Sequence, residues 1–150
     1  MSLIVAKFGG TSVADIPSIE NVADKIIREV EQGHKVAVVV SAMAGVTNQL
    51  IEYCNQVTTV HDAREYDSIV STGEQVSSGL LALMLQKRGL KARSWQGWQI
   101  PLRTDEKHAR ARIEAIDVEG LKQNLLDGEI AVVAGFQGIN DQGRVTTLGR

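Results

Sequence analysis

The chain has 150 residues, 43% of them hydrophobic and 23% charged, with 16 basic side chains against 18 acidic ones and a formal net charge of −2. Such a composition is that of an ordinary globular domain, and a chain of this length buries roughly 70% of its unfolded surface, enough for one core. Near-neutral charge and an aromatic share of 4% exclude an affinity built on phosphate neutralisation or base stacking, so no nucleic-acid partner is expected.

Leu3 to Phe8 predicts a short buried strand that ends at Gly9-Gly10. Ile16, Ile19, Val22, Ala23, Ile26, Ile27 and Val30 then recur at intervals of three and four, the spacing of one helical face. Asp15 is placed to cap that helix, Pro17 fits its first turn, and Gly33 stops it. Lys35 to Val40 reads as a strand buried on both faces, as in a parallel sheet, and strand–helix–strand in this order predicts a right-handed crossover. Its core, Val36 to Val40, is an unbroken apolar run of only five residues. A membrane helix needs about 20 such residues, so no membrane partner is expected, and the first residues lack the layout of a secretion signal.

Gly45 precedes a second helix carrying Leu50, Ile51, Cys54 and Val57. As the single cysteine, Cys54 cannot close an internal disulfide; it reads as a core residue of a protein from a reducing compartment, the cytoplasm. One long helix is expected over residues 67–87, with Ile69, Val70, Gly73, Val76, Leu80, Leu83 and Met84 on its packed side and Gly89 closing it. Residues 92–95 and 109–116 read as extended. In the second, Ala111, Ile113 and Ala115 alternate with Arg110, Arg112 and Glu114, which predicts one solvated face, and residues 103–112 read as a solvated edge. Leu121, Leu125 and Leu126 mark a short helix ended by Gly128. Residues 129–134 form another buried strand that leads into Gly135-Phe136-Gln137-Gly138. The fold class is α/β: a mostly parallel sheet with helices on both faces, an αβα sandwich, in one unit without a linker or repeat.

Open α/β sheets bind ligands at the carboxyl ends of their strands. Three such ends share a composition: Lys7-Phe8-Gly9-Gly10-Thr11-Ser12, Ser41 to Asn48, and Gly135 to Gly138. Glycines let backbone amides turn toward an anion, and Ser and Thr add hydroxyl donors, so the three loops together predict a site for an anionic small molecule. They match neither the phosphate loop, since no Gly-Lys-Ser/Thr occurs, nor the dinucleotide fingerprint. Lys7 stands out as a cation in a strand that reads as buried, immediately before two glycines. Glu74 borders the packed stripe of its helix instead of opposing it. The three histidines, His34, His61 and His108, lack ligand spacing, so no metal site of the chain's own is expected.

Together these blocks resemble the aspartokinases, within the amino acid kinase fold. Lys7-Phe8-Gly9-Gly10-Thr11-Ser12-Val13 resembles the family's opening signature. Val39 to Asn48, Ser71-Thr72-Gly73-Glu74 and Gly135-Phe136-Gln137-Gly138 follow in the family's order, and Thr146-Thr147-Leu148-Gly149-Arg150 is similar to the start of a further motif that continues Gly-Gly-Ser-Asp. The resemblance implies phosphorylation of the side-chain carboxylate of L-aspartate, with ATP and Mg²⁺, giving 4-phospho-L-aspartate on the way to lysine, threonine and methionine. It implies that Lys7 steadies the transferring phosphoryl group, that Gly9 and Gly10 offer amides to the nucleotide, and that Ser41, Thr47, Glu74 and Arg150 hold aspartate. It further implies that residues 1–150 are the N-terminal, amino-acid-binding portion of a kinase domain. The nucleotide-binding remainder and the ACT regulatory domains then lie outside this chain, which alone is expected to be inactive, while the intact enzyme is expected to be a homo-oligomer. Two other readings stay open: a related amino acid kinase with another substrate, and a non-catalytic amino-acid-binding module.

Overall fold

The computed structural model describes residues 2–149. In chain order the elements are β1 (Leu3–Phe8), α1 (Ile16–Glu31), β2 (Lys35–Val40), α2 (Val46–Val57), α3 (Ala63–Val70), α4 (Thr72–Lys87), β3 (Ala92–Trp95), β4 (Leu102–Thr104), β5 (Ile113–Ile116), α5 (Glu119–Leu126), β6 (Ile130–Ala134), β7 (Gln137–Ile139) and β8 (Val145–Thr147). The main sheet has the order β1-β2-β6-β3, and each of its pairings is parallel. A smaller mixed sheet, order β5-β4-β7-β8, sits beside it; of its strands only β5 falls in a segment that the sequence reads as extended.

Period-two alternation in β2 and β6 divides the core in two. Val36, Val38, Val40, Ile130 and Val132 point to the face covered by α1 and α4, where they meet Ile19, Val22, Ile26, Leu81 and Leu85. Ala37 and Ala131 point to the other face, which packs on Leu125 of α5, Trp95 and Ile100. Helices therefore cover both faces of a parallel sheet, as expected. The start of α1 also follows the sequence: the Asp15 carboxylate accepts from the Ser18 amide at 2.8 Å. Side-chain and backbone hydrogen bonds from Ser18 hold the Asp15 carboxyl below the usual carboxylate range.

Four expectations need correction. First, β1 is an edge strand, hydrogen-bonded to β2 alone in the sheet, so Leu3, Val5 and Lys7 are exposed and only the opposite side chains are half-buried. Second, the helix expected over residues 67–87 is two helices meeting at Ser71. The Ser71 and Thr72 hydroxyls bond back to the carbonyls of Ser68 and Ile69, which bends helices, and the Gln137 side-chain amide takes the Ser71 carbonyl at 2.8 Å.

Third, the packed face of α4 is rotated. Gly73, Glu74, Ser77, Ser78, Leu81, Ala82 and Leu85 are buried, while Val76 is 55% and Leu83 62% exposed. Small residues let α4 approach the sheet closely, and serines are buried there because their hydroxyls find carbonyls; Ser77 Oγ donates to the Ser41 carbonyl at 2.7 Å. Fourth, of residues 109–116 only β5 is a strand, and it is exposed on both faces. Residues 103–112 are not simply a solvated edge: Thr104 and Ala111 are buried, and the His108 side chain is 8% exposed against a buried aspartate.

Within the second sheet, β7 packs tightly against β4 at Gly138. A Cβ there would lie 2.6 Å from Thr104 Cγ2 and 2.7 Å from the Leu102 carbonyl oxygen, so glycine is required by contact.

Candidate functional site

The carboxyl ends of β1, β2 and β6 open into one cleft of about 620 Å³. Strand register sets who faces it. Lys7 pairs with Val39, Val39 with Val133, and Val133 with Trp95, so these four lie in one row across the sheet, all on the α5 face. Three members of the row, Lys7, Val39 and Val133, line the cleft. Because β1 is the sheet's margin, the Lys7 ammonium keeps contact with water. No acidic side chain among the described residues forms an ion pair with it. A buried lysine would face a steep desolvation cost; this position leaves its charge for an arriving anion.

Gly10 lines the cleft with its Cα turned against the Ala42 carbonyl, where a Cβ would sit 3.2 Å from the oxygen. Gly9 is exposed beside the cleft and does not line it. The loop after β2 supplies Ser41, Ala42, Met43 and Ala44, then Gly45 with φ of 80°, and the first turn of α2 supplies Thr47 and Asn48. Ser41 and Thr47 therefore share the same wall, half-buried.

Glu74 comes from the first turn of α4. It is 3% exposed, lines the cleft, and its Oε1 accepts from the Ala42 amide at 3.3 Å. A carboxylate in that position brings negative charge to a wall otherwise made of amides and hydroxyls. Its closeness to the Ser41–Ala42 loop depends on Gly73, since a Cβ there would meet the Ala42 Cβ at 2.7 Å. Lys7, Gly10, Ser41, Thr47 and Glu74, drawn from three separate segments, thus converge on one cleft. Arg150 lies outside the described residues.

The sequence reading expects Gly135 to Gly138 at the site as a glycine-bearing loop but gives Phe136, Gln137 and Leu148 no individual part in its walls. Gln137 is fully buried, with its amide nitrogen donating to the Ser71 carbonyl. Phe136 takes φ of 73°, a left-handed backbone rare for a bulky residue, and its carbonyl accepts from the Leu148 amide at 2.8 Å. Leu148 and Gly149 complete the rim. The glycines bracketing Phe136 and Gln137 were the available signal. The fixing of this rim by residues far away in sequence left no local pattern.

Among its described lining residues the cleft carries one cation, Lys7, one buried carboxylate, Glu74, and the hydroxyls of Ser41 and Thr47, a composition suited to an anionic ligand. Among the described residues no group of three His, Cys, Asp or Glu side chains could hold a metal ion.

The sequence and the fold both have known relatives. The family model described as the amino acid kinase family matches residues 2–150. An aspartokinase of Geobacillus stearothermophilus is 48% identical over 150 residues, an alignment that takes in 100% of this chain and 37% of the relative. Among solved structures, aspartate kinase from Synechocystis superposes with a TM-score of 0.81 at 41% identity, over 99% of this chain and 24% of that one. E. coli aspartokinase III, in complex with aspartate and ADP, gives a TM-score of 0.83 over 100% of this chain and 44% of that one; at 24% identity this likeness shows the fold alone. The chain spans about 37% of the length of the curated relative.

Proposed function

This chain belongs to the amino acid kinase family, and we propose that it forms the acceptor side of an aspartokinase, in which ATP phosphorylates the side-chain carboxylate of L-aspartate. The observation that carries this reading is the shared cleft, where Lys7 and Gly10 at the end of β1 face the same space as Ser41, Thr47 and buried Glu74. It is supported by the likeness to aspartokinases along the whole chain and by the aspartate and ADP in the complex of the E. coli structure.

The chemistry follows from charge. A free aspartate side chain, with a reference pKa near 3.9, is ionised at neutral pH, so no general base is required. A carboxylate oxygen attacks the γ-phosphorus, the bond to the β-phosphate oxygen breaks, and ADP leaves with the electron pair. The obstacle is the approach of two anions, and the contribution of this chain is alignment and neutralisation. In this reading Lys7 meets the oxygens of the transferring phosphoryl group. Gly10, with Gly9 beside it, presents backbone amides to the nucleotide phosphates. Ser41 and Thr47 orient the acceptor by hydroxyl hydrogen bonds, and Glu74 takes its ammonium group. Arg150 takes the α-carboxylate as a bidentate pair. Mg²⁺ supplies charge neutralisation on the phosphates when bound; with no acidic cage among the described residues, it would arrive on the nucleotide. Residues 1–150 are, on this reading, the amino-acid-binding portion of a kinase domain in a homo-oligomeric, cytoplasmic enzyme.

The test is ATP-dependent formation of β-aspartyl hydroxamate, trapped with hydroxylamine, by the full-length protein that carries this sequence. L-aspartate should be the acceptor, and L-glutamate and N-acetylglutamate should not. Lys7→Ala should cut kcat by about a hundredfold or more with an unchanged melting temperature, the scale expected for losing a charge that acts on the transition state. Turnover with glutamate in place of aspartate, or a near-normal kcat in Lys7→Ala, would refute the assignment.

A further inference from the structure

Asp67, in the last turn of α3, has no accessible surface, and its carboxylate collects donors from two distant segments. Oδ1 accepts from the Thr147 hydroxyl at 2.6 Å and the Ala109 amide at 3.2 Å. Oδ2 accepts from His108 Nδ1 at 2.7 Å, the Thr147 amide at 2.9 Å and the Ala109 amide at 3.1 Å. Four donor groups thus meet a carboxylate that offers about four lone-pair positions, so its hydrogen-bonding capacity is filled. His108 donates through Nδ1, since an ionised carboxylate can only accept. Ala109 is bent into this cluster with φ of 64°.

Burying a charge is a poor way to gain stability, because an apolar cluster of equal volume usually does as well. What a saturated carboxylate adds is direction: it fixes where each donor lies. Here the donor of most consequence is Thr147, the last residue of β8. Immediately after it, Leu148 and Gly149 form the rim of the cleft, with the Leu148 amide held by the strained Phe136. Asp67 itself does not line the cleft. It sits four residues before the α3–α4 elbow at Ser71, and that elbow also carries the Gln137 tether and, three residues on, Glu74. Three walls of the cleft are thereby referred to one bend in the chain.

We propose that Asp67 is a positioning residue, which holds the end of β8 against the α3–α4 elbow and so sets the shape of the acceptor half of the cleft. The consequence for the acceptor rests on the aspartokinase reading above. Asp67 should govern affinity for the amino acid acceptor while leaving the nucleotide side untouched, because its side-chain contacts run to Thr147 of β8 and to His108 and Ala109, and none to the Lys7–Gly10 end.

Thr147→Val keeps the shape and the backbone amide but removes one donor to Asp67; Thr147→Ser retains it. In the full-length protein, Thr147→Val and Asp67→Asn should raise KM for L-aspartate by about tenfold or more, the scale typical of lost supporting hydrogen bonds. KM for ATP and kcat should stay within about twofold, and Thr147→Ser should behave as the wild type. If Asp67→Asn does not fold, Thr147→Val decides. An unchanged KM for aspartate in Thr147→Val, or equal losses toward both substrates, would overturn the proposal. Amide hydrogen exchange gives a second readout without turnover: the Leu148 amide should lose protection in Thr147→Val while β2 keeps its own, and unchanged protection at Leu148 would equally overturn it. A wild-type protein that does not use aspartate refutes the functional reading instead, and the exchange result then decides the role of Asp67 by itself.

Discussion

Two glycines six residues apart on α4, Gly73 and Gly79, should respond to the same substitution with opposite signs. In Gly73→Ala the new methyl carbon lies 2.7 Å from Ala42 Cβ, 3.2 Å from Val46 Cγ1 and 3.8 Å from Leu50 Cδ1. An ordinary carbon–carbon contact is about 3.5–4.0 Å, so the deficit against Ala42 is on the order of 1 Å. Ala42 has no rotamer to yield, and the helix or the loop after β2 must move instead. Overpacking of this kind costs about 1–3 kcal/mol, against which alanine returns up to about 1 kcal/mol of helix propensity. The net expectation is a loss of about 1–2 kcal/mol. At Gly79 a Cβ meets nothing within 4 Å, so Gly79→Ala should gain about 0.4–1 kcal/mol through the unfolded chain. Thermal melts of the two variants and the wild type, followed by circular dichroism, should therefore fall on either side of the parent, separated by several degrees. The site offers a second reading. The Ala42 amide reaches Glu74 Oε1 at 3.3 Å, close to the limit of a hydrogen bond, and a shift of that size breaks it. Gly73→Ala should accordingly weaken acceptor binding, and Gly79→Ala should not. A Gly73→Ala protein as stable as Gly79→Ala, with normal acceptor affinity, would refute the claim that this contact sets the distance between α4 and the cleft.

Further outcomes follow from single residues. Leu81 is fully buried between α1 and the sheet, and Leu81→Ala should destabilise by about 2–5 kcal/mol without altering KM for either substrate, as read from denaturant unfolding and steady-state kinetics. Glu74→Gln keeps the shape of the side chain and removes its charge. It should raise KM for aspartate with kcat far less affected, since the carboxylate is assigned to the acceptor's ammonium and not to the phosphoryl group. The Asp15 carboxyl is held below its ordinary value by Ser18, so its contribution to stability is present above the unfolded value near 3.9 and is lost as pH falls through the folded value. The difference in unfolding midpoint between wild type and Asp15→Ala should thus be constant at pH 5–7 and shrink below pH 4; a difference that grows with acid would contradict the cap.

The parallel sheet and its loops could be read from the chain because the determinants are local. Val36 to Val40 has no polar face, Asp15 precedes the apolar stripe of α1, and each glycine-rich loop follows its own strand. Other features are set by partners far away in sequence and were misread for that reason. The phase of α4 depends on how closely a helix with Gly73, Ser77, Ser78 and Ala82 can approach β2 and β6, and hydrophobicity alone favoured Val76 and Leu83. The break at Ser71 depends in part on Gln137, 66 residues downstream.

Lys7 lines the cleft for a reason other than the one that marks it in the sequence. It was singled out because a lysine in a buried strand is anomalous, yet β1 is an edge and the ammonium is solvated. What places it at the cleft is register: pairing Lys7 with Val39 and Val39 with Val133 puts the cation on the cleft's side of the sheet, one residue before the strand ends. A shift of one residue in that pairing would turn Lys7 to the α1 face and bury it. The same alternation that fills the α1 face with Ile4, Ala6 and Phe8 therefore delivers the charge to the opposite one. Position in the pleat, more than burial, decides that the lysine can meet an incoming anion.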